Sequence, residues 1–356
     1  MDNFIILDGV RYAKDNLEEL TSQDKNGNEF YQAIHDFLTE WWSDSDTMFV
    51  HTSGSTGTPK DMAIEKKKMM ASAATTLSFL DIRQGDSALL CMSLDYIAGK
   101  MMMVRALSGE LNLITSPPSG HPLRNLTIAP TFAAMIPLQV YNSLQNDTEK
   151  KKLKDIRHLI IGGGPIDNNL ETELERFPHN VWSTYGMTET LSHIALRKLN
   201  GKDRSDWYTP LDGVTVSLSP ERTLVIDAPL VCKSILKTND IAEISAGHQF
   251  RILGRLDNTI NSGGIKIQIE QVEALLKPSM PCPFLITSKP DEKFGEIVVL
   301  LAESKGQDIS NIKEICVQTL PHYWQPKEII LADALPYTGS GKPDRSMAKK
   351  IALNYD

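Results

Sequence analysis

A polar stretch near the start of the chain, HTSGSTGTPK at 51–60, combines hydroxyl side chains, two glycines and a lysine. A loop of this composition wraps backbone N–H groups and hydroxyls around phosphate oxygens, and the lysine adds a positive charge. It is not a Walker A loop, because Gly54 and Gly57 are too close together and Asp61 follows Lys60. A flexible polar linker is the plain alternative. The candidate phosphate-binding residues are Thr52, Ser53, Gly54, Ser55, Thr56, Gly57 and Lys60.

Four further stretches follow this loop: STYGMTET at 183–190, LKTND at 236–240, GRLDNTINSGGIKIQIEQVE at 254–273 and LPYTGSGKPDR at 335–345. In order and spacing, the five stretches resemble the adenylate-forming superfamily, which includes acyl-CoA and aryl-CoA synthetases, peptide-synthetase adenylation domains and luciferases. Five ordered motifs are far more specific than any one of them. The resemblance implies ATP as substrate, Mg²⁺ as cofactor and CoA as cosubstrate.

The resemblance implies that Thr184 and Tyr185 in STYGMTET face the adenine ring, since stacking needs a flat aromatic surface. Gly163 and Gly164, where the strand pattern RHLIIGGG ends, are expected to let that ring approach the backbone, because they carry no Cβ atom. A simple tight turn is the alternative explanation of these glycines.

The same motif carries the metal and phosphate roles. Glu189 matches the magnesium ligand of the superfamily, and Thr188 offers a hydroxyl to phosphate. A hard cation that also binds phosphates takes only one or two oxygen ligands from the protein, so a single glutamate is sufficient. Taken alone, Thr188 and Glu189 are more typical of a capped helix start.

Asp240 resembles the aspartate that accepts both ribose hydroxyls, and Arg255 resembles the arginine that supports the same sugar. A carboxylate suits this task because it is an acceptor only. The usual motif has glycine before the aspartate, and Asn239 stands there in this chain. Asparagine also tolerates a left-handed backbone. Asp257 falls at the hinge position, after which the C-terminal domain rotates.

Lys342 matches the lysine that reaches the substrate carboxylate and the α-phosphate during adenylation. Attack of one anion on another requires a cation between them, and a preorganised charge contributes on the order of a hundredfold in rate. An isolated lysine in such a loop would by default be a surface residue. After the domain rotation, Ser262, Gly263 and Gly264 are expected to border a tunnel for the CoA thiol.

The middle of the chain narrows the choice of acid. From about residue 49 onward, the chain resembles o-succinylbenzoate:CoA ligases of menaquinone biosynthesis. The resemblance lies in the runs SLDYIAGKMMMVRALSGELNL, APT and LIIGGGPI and in the SGG loop at 262–264. The segment before the phosphate loop is shorter than is usual in those ligases. Their acid is a dianion of which only one carboxylate is activated, so the resemblance implies a cation for the other.

Arg105 matches the arginine that these ligases use near the substrate, and a guanidinium binds a carboxylate through paired N–H donors. A surface arginine paired with Glu110 is the alternative. Gly99 and Gly186 are expected to give the aromatic ring room, although Gly99 is equally a candidate packing glycine. Weaker candidates for the same site are Lys100, His51 and His193.

A sheet and a lid are needed to position these motifs. Between about residues 65 and 182, helical and strand patterns alternate, which predicts a doubly wound α/β layer around a largely parallel sheet. Predicted helices cover 65–80, 97–107 and 167–177, the last with Asp167 as N-cap. Predicted strands in the same region are SALLCMSL, ELNLITS, LTIAP and RHLIIGGG.

Beyond residue 208 short β-rich pieces follow, and a second α+β pattern begins near residue 257. We therefore expect a large, N-terminally shortened ATP- and acid-binding domain at 1–254. A hinge at 255–258 would connect it to a small mobile α+β lid domain at 259–356, which carries Lys342.

The composition is that of an ordinary globular protein, and 356 residues exceed what one core usually supports. A formal net charge of −8 argues against nucleic acid or an anionic membrane as partner. No apolar run approaches membrane-spanning length.

The lysine runs at 66–68 and 150–152 are interpreted as solvated. The cysteines are scattered along the chain, which favours neither a zinc site nor a disulfide framework and fits a reducing cytoplasm. The sequence leaves open whether the protein forms a homodimer.

Two other functions fit the same motifs. One keeps the fold and changes the acid, as in another aryl- or acyl-CoA ligase or a free-standing adenylation enzyme. The other is a non-catalytic nucleotide- or acyl-binding protein, which has no need of Lys342, Glu189, Asp240 and Arg255 together. The partners expected from the motifs are small molecules: ATP, CoA and an aromatic dicarboxylate.

Overall fold

The computed structural model describes residues 4–22, 29–51, 61–304, 306, 308–337 and 343–355. The candidate phosphate loop at 52–60 and the segment 338–342, which includes Lys342, lie outside the described residues. The roles assigned to them therefore stay predictions.

The strands of the N-terminal half are β1 Phe4–Leu7, β2 Val10–Ala13, β3 Thr47–His51, β4 Asp61–Glu65, β5 Ser87–Leu90, β6 Asn112–Thr115, β7 Phe132–Met135, β8 His158–Ile161, β9 Asn180–Gly186 and β10 His193–Lys198. Those that follow are β11 Thr209–Pro210, β12 Thr215–Leu218, β13 Thr223–Asp227, β14 Leu236–Ile244, β15 Phe250–Arg255, β16 Thr259–Ser262, β17 Ile265–Gln268, β18 Phe284–Asp291, β19 Gly295–Glu303 and β20 Glu328–Ala332.

The helices are α1 Glu19–Ser22, α2 Glu29–Trp41, α3 Lys66–Leu80, α4 Ile97–Gly109, α5 Pro137–Leu144, α6 Asp147–Asp155, α7 Asn168–Leu174, α8 Ile269–Leu276, α9 Ile309–Thr319 and α10 Arg345–Leu353. Within the described ranges, none of them is long and apolar enough to cross a bilayer.

A largely parallel sheet forms the framework of the N-terminal part. Strands β9, β8, β7, β5, β6 and β1 lie side by side in parallel, and β10, β11 and β2 extend the two edges antiparallel. The chain passes from β5 to β6 on one side and then to β7 on the other, so the strand order reverses at β5. In open sheets of this kind, ligands bind outside the carboxyl ends of the strands at the reversal.

Helices cover both faces of this sheet. On one face, α2, α3 and α4 contribute buried residues such as Met102 to a core that includes Leu90 of β5. On the other, α5, α6 and α7 contribute residues such as Val140 to a core that includes Leu89. Successive residues of a strand point to opposite faces, so β5 serves both cores. The predicted doubly wound α/β class is confirmed.

Most predicted elements of this region are present. The helices predicted at 65–80, 97–107 and 167–177 correspond to α3, α4 and α7, and the Asp167 carboxylate accepts the Leu170 N–H at 3.0 Å as the N-cap. The strand predicted at LTIAP is wrong, because 126–130 are bends and coil and β7 begins at Phe132. Pro130 lacks the N–H that a central strand needs, so the ladder starts only after it.

The C-terminal part has its own sheet. Strands β17, β16, β19 and β18 pair antiparallel in that order, and β20 joins β19 in parallel. Helices α8 and α9 share a core with one face of this sheet, and α10 shares a core with the other. Before it in the chain, β12, β13, β14 and β15 form a four-stranded sheet.

By compactness, the chain divides into two units that are each discontinuous in sequence. One comprises Met1–Val216, Ile226–Leu236 and Ser245–Phe250, and the other comprises Ser217–Val225, Lys237–Ile244 and Arg251–Asp356. The hinge at 255–258 and the domains at 1–254 and 259–356 stay predictions.

Lys66 at the start of α3 is buried, so the interpretation of the 66–68 run as solvated is wrong at this residue. Its side chain is 9% exposed, and its ammonium donates to the carbonyl oxygens of Glu40, Trp41 and Ser43 at 2.9, 2.8 and 3.2 Å. The last carbonyls of a helix lack intrahelical partners and carry the negative end of its dipole. Lys66 therefore caps the C-terminus of α2 and ties it to α3.

Replacement of Lys66 by methionine (Lys66→Met) is expected to lower the free energy of unfolding by about 1–3 kcal/mol, because three carbonyl oxygens lose their donor. Lys67→Met is the matched control, since the Lys67 side chain is 75% exposed and should change stability by no more than about 0.5 kcal/mol. Urea unfolding followed by tryptophan fluorescence measures both variants. Equal midpoints for the two variants would contradict the capping role.

Candidate active site

A cavity of about 200 Å³ lies at the carboxyl ends of β5, β7, β8 and β9, where the strand order reverses. Apolar lining comes from Met92, Ala134, Ile160 and Leu191, and α4 adds Arg105. Polar lining comes from residues near the end of β9. Among the residues predicted from sequence, the cavity brings together Gly163, Thr184, Gly186, Thr188, Arg105 and His193.

The glycines after β8 serve a close approach of two strands. A Cβ atom on Gly162 would lie 2.2 Å from the Thr184 hydroxyl oxygen, and Gly163 has a φ of +81°. Side chains are therefore disfavoured at both positions, which keeps the ends of β8 and β9 together and the cavity open between them. Gly164 does not line the cavity. The chain bends at Gly163 and Gly164 without a hydrogen-bonded turn, and the adenine role of these glycines stays a prediction.

The turn that follows β9 is held by a buried hydroxyl. Thr190 Oγ1 accepts the Met187 N–H at 3.0 Å and lies 2.7 Å from the Ser192 carbonyl oxygen. It closes a single 3-10 turn at Thr188–Thr190 rather than starting an α-helix. Thr188 consequently lines the cavity, whereas Glu189 is exposed.

Gly186 sits where the backbone of this turn folds back on β9. A Cβ atom there would lie 2.3 Å from the Ser192 carbonyl oxygen and 2.5 Å from His193 Cα. Both of these are backbone atoms, which cannot rotate away. Glycine is thus required for the turn itself, whether or not the position also gives a ligand room.

Arg105 is the buried charge of this cavity. It is 2% exposed on α4, in a run from Met101 to Ala106 that is otherwise apolar and buried. Its Nη2 donates to the Ser192 hydroxyl at 2.6 Å and its Nη1 lies 3.6 Å from the Met102 sulfur, whereas its Nε has no partner among the residues that the structure describes. In the described part of the chain, no carboxylate pairs with it. Burial lowers the pKa of Arg105 to about 10, so the group stays charged at neutral pH.

The surface alternative for Arg105 is therefore wrong. Glu110, the acid proposed as its surface partner, is exposed and accepts a hydrogen bond from Gln84 at 2.8 Å.

His193 lies beside Arg105 and is 7% exposed. Its Nδ1 is 3.4 Å from the Ser192 hydroxyl, and its Nε2 is 3.1 Å from the Thr76 hydroxyl. Burial, assisted by the Arg105 charge, holds the pKa of His193 well below its usual value. The imidazole is consequently neutral at pH 7. Ser192 and Thr76 carry no motif signal, and the sequence analysis missed both.

Gly99 and Lys100 do not line the cavity. Gly99 packs against the chain before α4, because a Cβ atom there would lie 2.3 Å from the Ser93 carbonyl oxygen. The packing role weighed for Gly99 is the one that the structure shows. Lys100 donates to the Phe49 carbonyl at 2.7 Å instead of facing a ligand. The His51 side chain lies outside what the structure describes.

Tyr185 belongs to an aromatic cluster rather than to the cavity lining. Its ring meets Phe250 edge-on at 5.1 Å, and Tyr208 stacks on Phe250 at 5.5 Å. The Tyr208 hydroxyl also lies 2.9 Å from the Ser183 hydroxyl. These contacts fix the ring that was predicted to face adenine. Tyr208 and Phe250 were missed, since neither lies in a recognised motif.

The predicted ribose and hinge residues form an ion cluster in the other unit. Arg255 donates to both carboxylate oxygens of Asp257 at 2.9 and 2.8 Å, and to Asp240 at 3.3 Å. The hydrogen bonds from Arg255 hold the pKa of Asp257 below its usual value. The structure thus brings the three residues together, and their ribose and hinge roles stay predictions.

The SGG loop is a two-residue hairpin turn between β16 and β17. Gly263 and Gly264 have φ values of +58° and +83°, and Ser262 pairs with Ile265. Positive φ at both central residues is the type I′ pattern, for which two glycines are well suited. Local geometry alone accounts for these glycines, and the CoA tunnel stays a prediction.

Both flanks of the segment 338–342 are anchored. Tyr337 forms an isolated bridge with Pro343, and the Asp344 carboxylate caps α10 by accepting the Met347 N–H at 2.9 Å. Arg345 then donates to both oxygens of Glu273 at 2.6 Å. Pro343 and Asp344, the described residues nearest Lys342, are thus held by the bridge to Tyr337 and by the start of α10.

Two family comparisons cover most of the chain. Residues 5–228 match the AMP-binding enzyme family, and residues 285–342 match the AMP-binding enzyme C-terminal domain. The chain belongs to the AMP-binding enzyme family. The cavity and the turn after β9 lie within the first match, and the segment with Lys342 ends the second.

Individual relatives differ in their acids. An acyl-CoA synthetase (AMP-forming)/AMP-acid ligase II-like protein from Dyadobacter fermentans is 31% identical, with a TM-score of 0.63 over 94% of this chain and 97% of that one. A 2-succinylbenzoate–CoA ligase of Salmonella typhimurium is 28% identical over 293 residues, which are 77% of this chain and 62% of that protein. A long-chain-fatty-acid–CoA ligase of Mycobacterium tuberculosis is 25% identical over 339 residues, 85% of this chain and 67% of that protein.

The chain therefore spans about two thirds of the length of these two curated ligases. It matches the Dyadobacter protein of the same family over nearly its whole length.

Replacement of Gly186 by alanine (Gly186→Ala) is expected to lower the free energy of unfolding by about 1–3 kcal/mol, because the new methyl group would overlap backbone atoms of Ser192 and His193. Gly164→Ala is the matched control, since its Cβ atom would meet only Pro137 at 3.9 Å. Thermal unfolding of both variants checks this. If Gly186→Ala were as stable as Gly164→Ala, the close approach would not be what requires glycine.

Proposed function

We propose that this protein is an ATP-dependent acid–thiol ligase that adenylates o-succinylbenzoate and transfers the acyl group to CoA, a step of menaquinone biosynthesis. Family membership and the five motifs support the reaction type. The Salmonella relative and the buried Arg105 support the choice of acid.

The single observation that carries the choice of acid is the buried guanidinium of Arg105, which no carboxylate in the described part of the chain compensates. A buried charge without a counter-ion costs several kcal/mol, and its burial is favourable only when a partner of opposite charge arrives. o-Succinylbenzoate has two carboxylates, so one can be activated while the aromatic one pairs with Arg105 through two N–H donors. A monocarboxylic acid would leave the arginine without an anion.

In the first half-reaction, an oxygen of the aliphatic carboxylate attacks the α-phosphorus of ATP. The new bond joins that oxygen to phosphorus, the bond to the β-phosphate oxygen breaks, and pyrophosphate leaves. Lys342 would lie between the two anions, and the 52–60 loop with Thr188 would hold the departing phosphates. Thr184 and Tyr185 would receive the adenine, and Asp240 with Arg255 the ribose.

The residues present fit a magnesium ion. Glu189 projects an exposed carboxylate from the 3-10 turn next to Thr188, and the described chain contains no cluster of three metal-ligating side chains. A cation bound largely by phosphates needs only one or two protein carboxylates, so Glu189 is sufficient. When bound, the ion would neutralise charge on the phosphates.

In the second half-reaction, the CoA sulfur attacks the acyl carbon of the adenylate. A thioester bond forms, the carbon–oxygen bond to AMP breaks, and AMP leaves while the thiol proton passes to solvent. Rotation at Asp257 would withdraw Lys342 and bring the turn of Ser262, Gly263 and Gly264 to the thiol path. The cytoplasm is the proposed location.

A fatty-acyl ligase is the second candidate, because the Mycobacterium relative carries that name. The cavity argues against it, since about 200 Å³ with a buried cation suits a compact anion better than a long alkyl chain. A non-catalytic nucleotide-binding protein would bind ATP and release no pyrophosphate.

Pyrophosphate release by the purified chain with Mg-ATP and CoA tests the reaction. We expect turnover with o-succinylbenzoate and little with benzoate, a medium-chain fatty acid or an amino acid. Lys342→Ala should lower the rate by roughly a hundredfold or more, with binding of ATP retained. Turnover with a different acid would keep the reaction and assign the enzyme to a different pathway. Binding of ATP without pyrophosphate release in the presence of any of these acids would favour the non-catalytic alternative.

Replacement of Arg105 by methionine (Arg105→Met) tests the choice of acid. The KM for o-succinylbenzoate should rise roughly a hundredfold, with the KM for ATP unchanged, because only the acid loses its partner. The variant should fold, since replacing a buried unpaired charge by an apolar side chain is rarely destabilising. Arg83→Met is the control, as Arg83 is exposed and pairs with Asp81. An unchanged KM for the acid in Arg105→Met would exclude the assigned contact.

A further inference from the structure

We propose that Thr76 and His193 form a hydrogen-bonded relay that positions Ser192 and, through it, the guanidinium of Arg105 for the second carboxylate of the acid. The relay joins α3, the start of β10 and α4, which are far apart in sequence. The inference rests on the proposed function for its substrate, whereas the relay itself can be tested without substrate.

The direction of the relay follows from which atoms can donate. We assign the single proton of the Thr76 hydroxyl to the Ser72 carbonyl at 3.1 Å, so that the hydroxyl accepts from His193 Nε2 at 3.1 Å. Nε2 therefore carries the imidazole proton, and Nδ1 is an acceptor.

The other end of the relay agrees with this tautomer. Arg105 is only a donor, so the Ser192 oxygen accepts its Nη2–H at 2.6 Å. The Ser192 proton then goes to His193 Nδ1 at 3.4 Å, the one acceptor that the described residues offer it. The opposite tautomer would leave that proton without an acceptor. Among the described residues, this tautomer is the one that gives the Ser192 proton an acceptor.

Arg105 depends on this arrangement because it has few other contacts. Among the described residues, the Ser192 hydroxyl is the only oxygen that it binds; the Met102 sulfur is a weak acceptor and Nε has no partner. If the Ser192 side chain changed its χ1 rotamer, the oxygen that Arg105 binds would move and the guanidinium would lose its fixed direction. A misplaced ligand group lowers both affinity and rate, since binding geometry must be set before the ligand arrives.

Thr76 is the residue at which the relay is best interrupted. It is fully buried on α3 and does not line the cavity, so it touches no substrate directly. Replacement by valine keeps the shape and removes the hydroxyl that accepts from His193. Any selective effect on the acid must then pass through His193 and Ser192.

In Thr76→Val we expect the KM for o-succinylbenzoate to rise about tenfold, as for the loss of one buried hydrogen bond. The KM for ATP should not change, nor that for benzoylpropionate, which is the same acid without its aromatic carboxylate. Thr76→Ser, which restores a hydroxyl, should recover the wild-type value. Thr75→Val is the matched control, because Thr75 makes the same type of hydrogen bond to its own helix, with the Ala71 carbonyl at 2.9 Å, outside the relay.

An equal rise of all three KM values in Thr76→Val would mean a general loss of structure and would overturn the proposal. So would an unchanged KM for o-succinylbenzoate.

Nuclear magnetic resonance of the substrate-free protein separates the relay from the choice of acid. The ¹⁵N signals of His193 should show a protonated Nε2 and an unprotonated Nδ1, and the two η-nitrogens of Arg105 should give distinct signals that merge in Thr76→Val. If the wild type failed to prefer o-succinylbenzoate over benzoylpropionate, the proposal that o-succinylbenzoate is the substrate would be wrong. The ¹⁵N signals would still support the relay. A protonated Nδ1 on neutral His193 would overturn the relay itself.

Discussion

The guanidinium of Arg105 lies inside the helix–sheet layer with a hydroxyl and a thioether as its neighbours. Removing such a charge from water is costly, and nothing in the described chain returns that energy through an ion pair. The fold tolerates it because two large apolar cores flank the same sheet. The stability of the N-terminal part therefore has to exceed this cost, and under the proposed function an anion that enters the cavity would offset it. Ligand binding and stability are consequently coupled at this residue.

The topology of the sheet explains why this charge and the motif residues meet. The chain reverses its direction of travel at β5, and α4, which carries Arg105, is the helix that leaves the reversal. The carboxyl ends of β7, β8 and β9 lie next to it, so the glycines after β8 and the turn after β9 converge on the same point. Thr76 arrives from α3, which packs on the same face. A site assembled this way draws on residues more than a hundred positions apart.

Periodicity and motif order were enough to predict the fold class, helices α3, α4 and α7, and the cap at Asp167. They could not predict which side chains meet through tertiary packing. Lys66 looks solvated in a run of three lysines, and only the position of the α2 C-terminus makes it a cap. From the sequence, Gly99 fits a substrate role and a packing role equally well, and only the nearby Ser93 carbonyl in the fold indicates packing. Ser192 and Thr76 have no signal of their own, because their role depends on what Arg105 and His193 need.

Several motif glycines are explained by backbone geometry before any ligand is considered. The pair Gly263 and Gly264 suits a type I′ turn, Gly186 allows two backbone segments to touch, and Gly162 admits the Thr184 hydroxyl. Because the backbone of this chain requires these residues, they say little about which acid is used. We therefore expect the choice of acid to depend on side chains that the turns do not require. In this chain, the side chains of Arg105, Ser192 and His193 meet this condition, since the shape of the turns does not depend on them.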